Sequence, residues 1–172
     1  MTKIAILSDS HGKAQQTAAA VNLLLPHQPD LLIHLGDICN IAVLDALAVN
    51  DHTNTKQLPV RLVFGNSDYN ITPMAQYAQD LGLTVDHPVG RLTLENSKRL
   101  AFTHGDNHHI MSQLLHQQTD YILHGHTHLA SDQMHGPSRV INPGAFTRVR
   151  QPTVALLDTH NDSVMFFPVG DA

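Results

Sequence analysis

Five times along the chain an apolar run of strand character ends directly in a short polar cluster: IAILSDSHG at 4–12, LIHLGD at 32–37, LVFGNSD at 62–68, LAFTHGD at 100–106 and YILHGHTH at 121–128. Helical patterns, KAQQTAAAVNLLL (13–25) and NIAVLDALAV (40–49), separate the first three runs. That order builds βαβ units around a parallel sheet covered on both faces. In open α/β sheets ligands bind in the crevice at the carboxyl ends of the strands. The five strand ends therefore deliver Asp9, His11, Asp37, Asn66, His104, His126 and His128 to one rim. All seven carry oxygen or imidazole groups, and independent turns have no reason to supply only metal-competent side chains.

The remaining chain adds strands to this frame. A helix is expected over 73–82, with Pro73 in its first turn and Gly82 at its end. The second half is strand-dense: LTVDHP, RLTLEN, RLAFTHG, a helix near 107–117, YILHGHTH, SRVINPG, TVALLD and SVMFFPV. Antiparallel pairs are expected around turns at 95–99 (ENSKR) and 159–163 (THNDS). The 172 residues have the size of one ordinary domain, able to bury about 70% of its unfolded surface. The expectation is one α/β domain over 1–172, a two-sheet sandwich with helices outside.

Composition narrows the function classes. The apolar fraction of 42% is ordinary for a globular chain, and no apolar run approaches the roughly 20 residues of a membrane span. The opening MTKIAILSDSHG is too short for a signal-peptide core and reads as a first strand. The lone Cys39 excludes an internal disulfide and a cysteine-based zinc cluster, which fits a cytoplasmic protein. A net charge of −5 without a basic run argues against a sequence-independent grip on nucleic acid. A small anion could still bind at a local cluster of divalent cations.

The stretch LHGHTHLAS (123–131) places His124, His126 and His128 on alternate positions. Read as a strand, it crowds three imidazoles on one face, which a bound cation relieves; read as an exposed turn, it needs no explanation. Asp9 and His11 are likewise two apart, so an extended backbone turns both to one side. Asp37 has two carboxylate oxygens and can bridge two cations about 3.5–4 Å apart. Asn66 supplies a neutral amide oxygen, and His104, His126 and His128 supply imidazoles. Two divalent ions bring four positive charges against the two carboxylates Asp9 and Asp37, leaving an excess of about +2. That excess suits a phosphate ester and lowers the pKa of a bridging water towards neutrality, making hydroxide the nucleophile. No protein nucleophile is needed, and Ser8, Ser10 and Ser67 show no Ser-His-Asp partnership that outranks the metals.

Several neighbours carry simpler readings. Asn40 is better taken as a helix cap than as a phosphate contact. His34 and His124 read as packed or outer partners that orient their neighbours. His108 and His109 read as solvated first-turn residues rather than general acids, and Cys39 as a small buried hydrophobe. Asn142 is expected to hold a turn behind the ligands, and Arg148 and Arg150 to be surface charges that could steer an anion.

The order D-x-H, G-D, G-N, H-G and G-H-x-H, from Asp9 through INPGAF at 141–146, resembles the calcineurin-like metallophosphoesterase superfamily. The short length, the THGD stretch and the NPG turn resemble its small prokaryotic phosphodiesterase branch (YfcE type). The resemblance implies a four-layer αββα sandwich of two mixed β-sheets flanked by helices. It implies Asp9, His11, Asp37 and His128 around one metal, and Asp37, Asn66, His104 and His126 around the other, with Asp37, Asn66 and His104 as catalytic residues. Manganese is the activating ion it implies, with zinc, iron or nickel as substitutes, and softness does not choose among them. The implied partner is a small phosphoester, with no membrane or nucleic-acid partner; relatives often form homo-oligomers. Two departures stand out. Ser67 in GNSD replaces the histidine of larger relatives, which argues against efficient attack on monoesters with poor leaving groups, since general-acid help is typically worth 10²–10⁴-fold. Asp106 stands where relatives of this branch often have a second histidine. A non-catalytic scaffold is the alternative, because the retromer scaffold subunit resembles the same family; it has a degraded metal site, whereas every ligand position is filled here.

Overall fold

The computed structural model describes residues 2–95, 97–117 and 119–170. Its first sheet has the order β11-β10-β1-β2-β3-β4, built from β1 (Lys3–Leu7), β2 (Leu31–His34), β3 (Val60–Leu62), β4 (Thr84–Val85), β10 (Thr153–Asp158) and β11 (Ser163–Pro168). The second has the order β5-β6-β7-β9-β8, from β5 (Val89–Thr93), β6 (Arg99–Thr103), β7 (Tyr121–Leu123), β8 (Ser131–His135) and β9 (Ser138–Asn142). Both sheets are mixed. Strands β1 to β4 run parallel, as do β6, β7 and β9, while β10, β11, β5 and β8 are antiparallel to their neighbours.

Period-two alternation explains the layers. Along β1, Ile4 and Ile6 point towards the second sheet, where they meet Phe102, Tyr121, Leu123 and Ile141, while Ala5 and Leu7 point away. On that outer face lie α1 (Ala14–Leu24), α2 (Ile41–Leu47) and α3 (Ile71–Asp80). Helix α1 buries Thr17, Ala20, Val21 and Leu24, a spacing of three and four that aligns one face with the sheet. A fourth helix, α4 (His108–His116), packs Ile110, Met111, Leu114 and Leu115 on Ala101, Ile122 and Val140 of the second sheet. The result is the expected αββα sandwich. Among the described residues, no helix is long and apolar enough to cross a membrane.

Four local features depart from expectation. The strand read through YILHGHTH ends at Leu123, so His124, His126 and His128 share no strand face. The D-x-H segment is not extended either: Asp9 has φ 53 and His11 φ 44. Strand β8, Ser131–His135, was not expected; its outward-facing SDQMH has no apolar alternation and pairs with β9 through the backbone. Helix α3 begins at Ile71, two residues before Pro73, because Asn70 already turns the chain with φ 59. The turns expected at 95–99 and 159–163 do join antiparallel strands, although Asn96 lies outside the described residues.

Candidate metal centre

The carboxyl ends of β1, β2 and β3 in one sheet, and of β6 and β7 in the other, meet at one edge of the sandwich. The loops beyond β1 and β2 stay zipped after the strands end: the Asp9 amide donates to Gly36 O at 3.0 Å, His11 to Asp37 O at 2.8 Å and Gly12 to Ile38 O at 2.9 Å. From the second sheet, Gly125 N donates to His104 O at 2.8 Å, which ties the β6 and β7 loops together. The first sheet thus carries Asp9, His11, Asp37 and Asn66, and the second His104, His126 and His128.

Four of these form a tight set: Asp9, His11, Asp37 and His128 offer ligand atoms all within 4.8 Å of one another. His128 Nδ1 donates to Thr147 O at 3.0 Å, so in the neutral ring Nε2 keeps its lone pair. That Nε2 lies 3.2 Å from Asp9 Oδ1 and 3.3 Å from His11 Nε2. His11 Nε2 is in turn 3.5 Å from Asp37 Oδ2. The other Asp9 oxygen, Oδ2, accepts from Ser8 Oγ at 2.5 Å and from the His126 amide at 3.1 Å. Oδ1 is buried and has no hydrogen-bond partner among the described residues. A buried carboxylate oxygen left bare costs about 1–3 kcal/mol or more, and a cation at this point removes the cost.

A second set adjoins it through Asp37. His104 Nδ1 donates to Leu35 O at 2.8 Å, leaving Nε2 bare. It faces Asn66 Oδ1 at 3.1 Å and Asp37 Oδ1 at 3.5 Å. In the neutral ring, three acceptor atoms converge there. The His126 ring lies edge-on to His104, with centroids 5.2 Å apart. Asp37 therefore turns one oxygen towards His11 and the other towards His104, as a bridging carboxylate must. All seven candidates come to this edge, and the donor chemistry fits divalent cations.

The sequence reading missed some of the supports. Asp68, buried beside the site, accepts from the Gly65 amide at 2.8 Å and the Cys39 amide at 2.6 Å, clamping two ligand loops together. Burial holds its pKa above the ordinary carboxylate value despite those bonds. The available signal was a carboxylate three residues after a turn glycine, able to fold back on that glycine's amide. Ser67 binds Asp37 twice at 2.8 Å, amide to Oδ1 and hydroxyl to Oδ2. Gly65 and Gly125 leave no room for a side chain: a Cβ on the first would lie 2.2 Å from Asp37 Oδ1, and on the second 1.9 Å from Ser8 Oγ.

The simpler readings of the neighbours stand, except that of Cys39. Asn40 caps α2 through Ala42 N at 2.9 Å, and Asn142 holds the Gly125–Thr127 loop and the Gly144 turn. His34 receives the Gly36 amide on Nδ1, so its Nε2 donates to Ser10 Oγ at 2.6 Å. His124 turns back on Gly125 O, and burial lowers its pKa. His108 and His109 are exposed in the first turn of α4. Cys39 is exposed rather than buried; desolvation, then Asp68 and Asp37, push its thiol up to about 11. His11 has its pKa lowered by burial, against the pull of Asp37 and Asp9, with the positive charge of Arg148 a minor contributor.

Comparison with known proteins bears on family and fold. The family model for the calcineurin-like phosphoesterase superfamily domain matches residues 2–162. Phosphodiesterase YfcE of Escherichia coli is 28% identical over 152 residues, covering 84% of this chain and 79% of the relative. The solved structure of a novel archaeal phosphodiesterase superposes with a TM-score of 0.85 at 21% identity, covering 96% of this chain and 99% of that one. Vps29 of Entamoeba histolytica, a vacuolar protein sorting protein solved with Zn2+, superposes with a TM-score of 0.66 at 17% identity over 98% and 93% of the two chains.

Proposed function

Since the chain belongs to the calcineurin-like phosphoesterase superfamily, a family of metal-dependent phosphoric ester hydrolases, we propose that it is a phosphodiesterase acting on a small organic phosphate at a dinuclear metal centre. Asp9, His11, Asp37 and His128 would hold one divalent ion, and Asp37, Asn66, His104 and His126 the other. Such ions supply Lewis acidity to the phosphate oxygens and bring the pKa of water near neutrality. Manganese is the proposed ion, with zinc, iron or nickel able to take its place, since imidazole and carboxylate ligands suit all four.

The chain's own residues order this chemistry. Leu35 O and Thr147 O fix the tautomers of His104 and His128, aiming both Nε2 atoms inward. Ser67, beside the bridging carboxylate, offers a neutral hydroxyl where an imidazole could have protonated a departing alkoxide. That favours diesters with good leaving groups. The bare, buried Asp9 Oδ1 carries the proposal, because its position is costly without a cation.

A protein-binding scaffold on the same fold is the second reading, since Vps29 shares the architecture and fold does not decide function. The complete donor set favours catalysis. Elemental analysis of purified protein and hydrolysis of bis(p-nitrophenyl) phosphate separate the two. The enzyme is expected to bind metal stoichiometrically, to be stimulated by manganese and to be silenced by chelation. Asp37→Ala or Asn66→Ala is expected to cost more than about a hundredfold in kcat/KM, beyond the 10–100-fold typical of losing an outer partner. Metal-free protein without turnover at any added divalent ion would overturn the catalytic reading.

A further inference from the structure

Beside the donor cluster a groove of about 510 Å³ runs outward between the first turns of α2 and α3. Its inner end is Cys39, whose sulfur lies 3.8 Å from His11 Nδ1 and 3.5 Å from Ser67 O, so the groove opens directly onto the rim. Its walls belong to the two loops that carry Asp37 and Asn66: Ile41 follows the first, and Tyr69 and Asn70 follow the second. Met74, largely buried, and Tyr77 complete the lining, and Tyr77 is braced by a 2.6 Å bond from its hydroxyl to Asp45. Among the described residues, no charged side chain lines the groove. Tyr69 is 78% exposed and Ile41 49% exposed, so a large flat face and an aliphatic edge stand in water next to a phosphate-binding centre. Asn70 heads α3 without making a side-chain capping bond, leaving its amide free for a polar edge.

We propose that this groove binds a planar, uncharged ring on the ester group that stays on phosphorus, with Tyr69 as its stacking platform. The inference rests on the phosphodiesterase reading and adds a substrate class to it. In-line displacement sends the leaving oxygen away from the donor cluster, so a group lying sideways along the rim is the retained one. Water gives up a proton to solvent as its oxygen bonds to phosphorus, the opposite P–O bond breaks, its electron pair leaves with the departing oxygen, and the product is a monoester still carrying the ring. An exposed tyrosine offers its π-face to a nucleobase or an aryl ring alike, and the sulfur of Met74 adds a soft contact at the ring edge.

Three diesters with one leaving group, p-nitrophenolate, and different retained groups test this: thymidine 5′-phosphate, phenyl phosphate and methyl phosphate. The ring-bearing diesters are expected to exceed the methyl diester in kcat/KM by about tenfold or more, a usual consequence of one stacking contact. Tyr69→Ala is expected to collapse that ratio, and Tyr69→Phe to preserve it. Preference for the thymidine diester identifies a base as the ring, and preference for the phenyl diester an aryl ester. Independently of turnover, the ¹³C-labelled methyl of Met74 in zinc-loaded protein is expected to shift on adding thymidine 5′-phosphate or phenyl phosphate, and not methyl phosphate. Hydrolysis without ring preference and without a Met74 shift overturns the groove and leaves the phosphodiesterase standing. A Met74 shift with no hydrolysis of any diester does the reverse.

Discussion

Gly65 shows how little freedom single residues have at this edge. With an ideal Cβ 2.2 Å from Asp37 Oδ1 and 2.7 Å from His104 Cε1, Gly65→Ala must push the shared carboxylate or the imidazole out of place. The expected outcome is loss of bound metal by elemental analysis and more than about a hundredfold loss of activity, with the circular dichroism spectrum unchanged. Backbone strain tells the same story. Asp9, His11, Asp37, His126 and His128 all have left-handed φ, between 44 and 65, a conformation costing roughly 1–2 kcal/mol per non-glycine residue. Here lies the limit of what the sequence revealed: it identified which side chains meet, because donor types recurred after every strand, but it offered an extended D-x-H and an extended histidine ladder. Nothing in the residue types announces a left-handed aspartate. The bonds that hold it, from Asp9 N to Gly36 O and from His11 N to Asp37 O, join residues 27 and 26 apart in sequence.

Elements were more legible than the loops between them. Strand β1 and helix α1 follow from apolar runs whose burial pattern matches their period. Edge strand β8 left no such trace, since its five residues SDQMH show no apolar alternation and are held by backbone pairing with β9 and by the Asp132–Arg139 ion pair. Helix α4 depends on a local device that the sequence does display. Asn107 accepts from the amides of His109 and Ile110 at 3.0 and 3.2 Å. Asn107→Ala is expected to cost about 1 kcal/mol and to lower the Tm by about 2–4 °C, read by calorimetry. Helix α4 covers the outer face of the second sheet and contributes no metal donor, so the same variant is expected to keep its metal content.

At the scale of the whole molecule, His34 ties stability to pH. It is fully enclosed, and burial, reinforced by His104, drives its pKa from 6.5 down to about 3. The folded state keeps this ring neutral while the unfolded chain takes up a proton below about pH 6.5, so its contribution to stability is fully present above that value. Between about 6.5 and 3 the unfolded state binds the extra proton, and stability falls as the pH falls. Urea midpoints measured from pH 7 to pH 4 are expected to drop, and His34→Gln to flatten the slope by up to one proton. The placement of donors on both sheets reaches further. On the proposed metal reading, a divalent ion held between the β1–β3 loops and the β6–β7 loops would act as a clasp across the sandwich, stabilising it by RT ln(1 + [L]/Kd), so the denaturation midpoint is expected to rise with added manganese and fall with a chelator. The coupling is reciprocal. Truncating Phe102, fully buried in the cluster between the sheets, is then expected to loosen the grip on a bound ion, and metal affinity becomes a gauge of how firmly the two halves of the interior are pressed together.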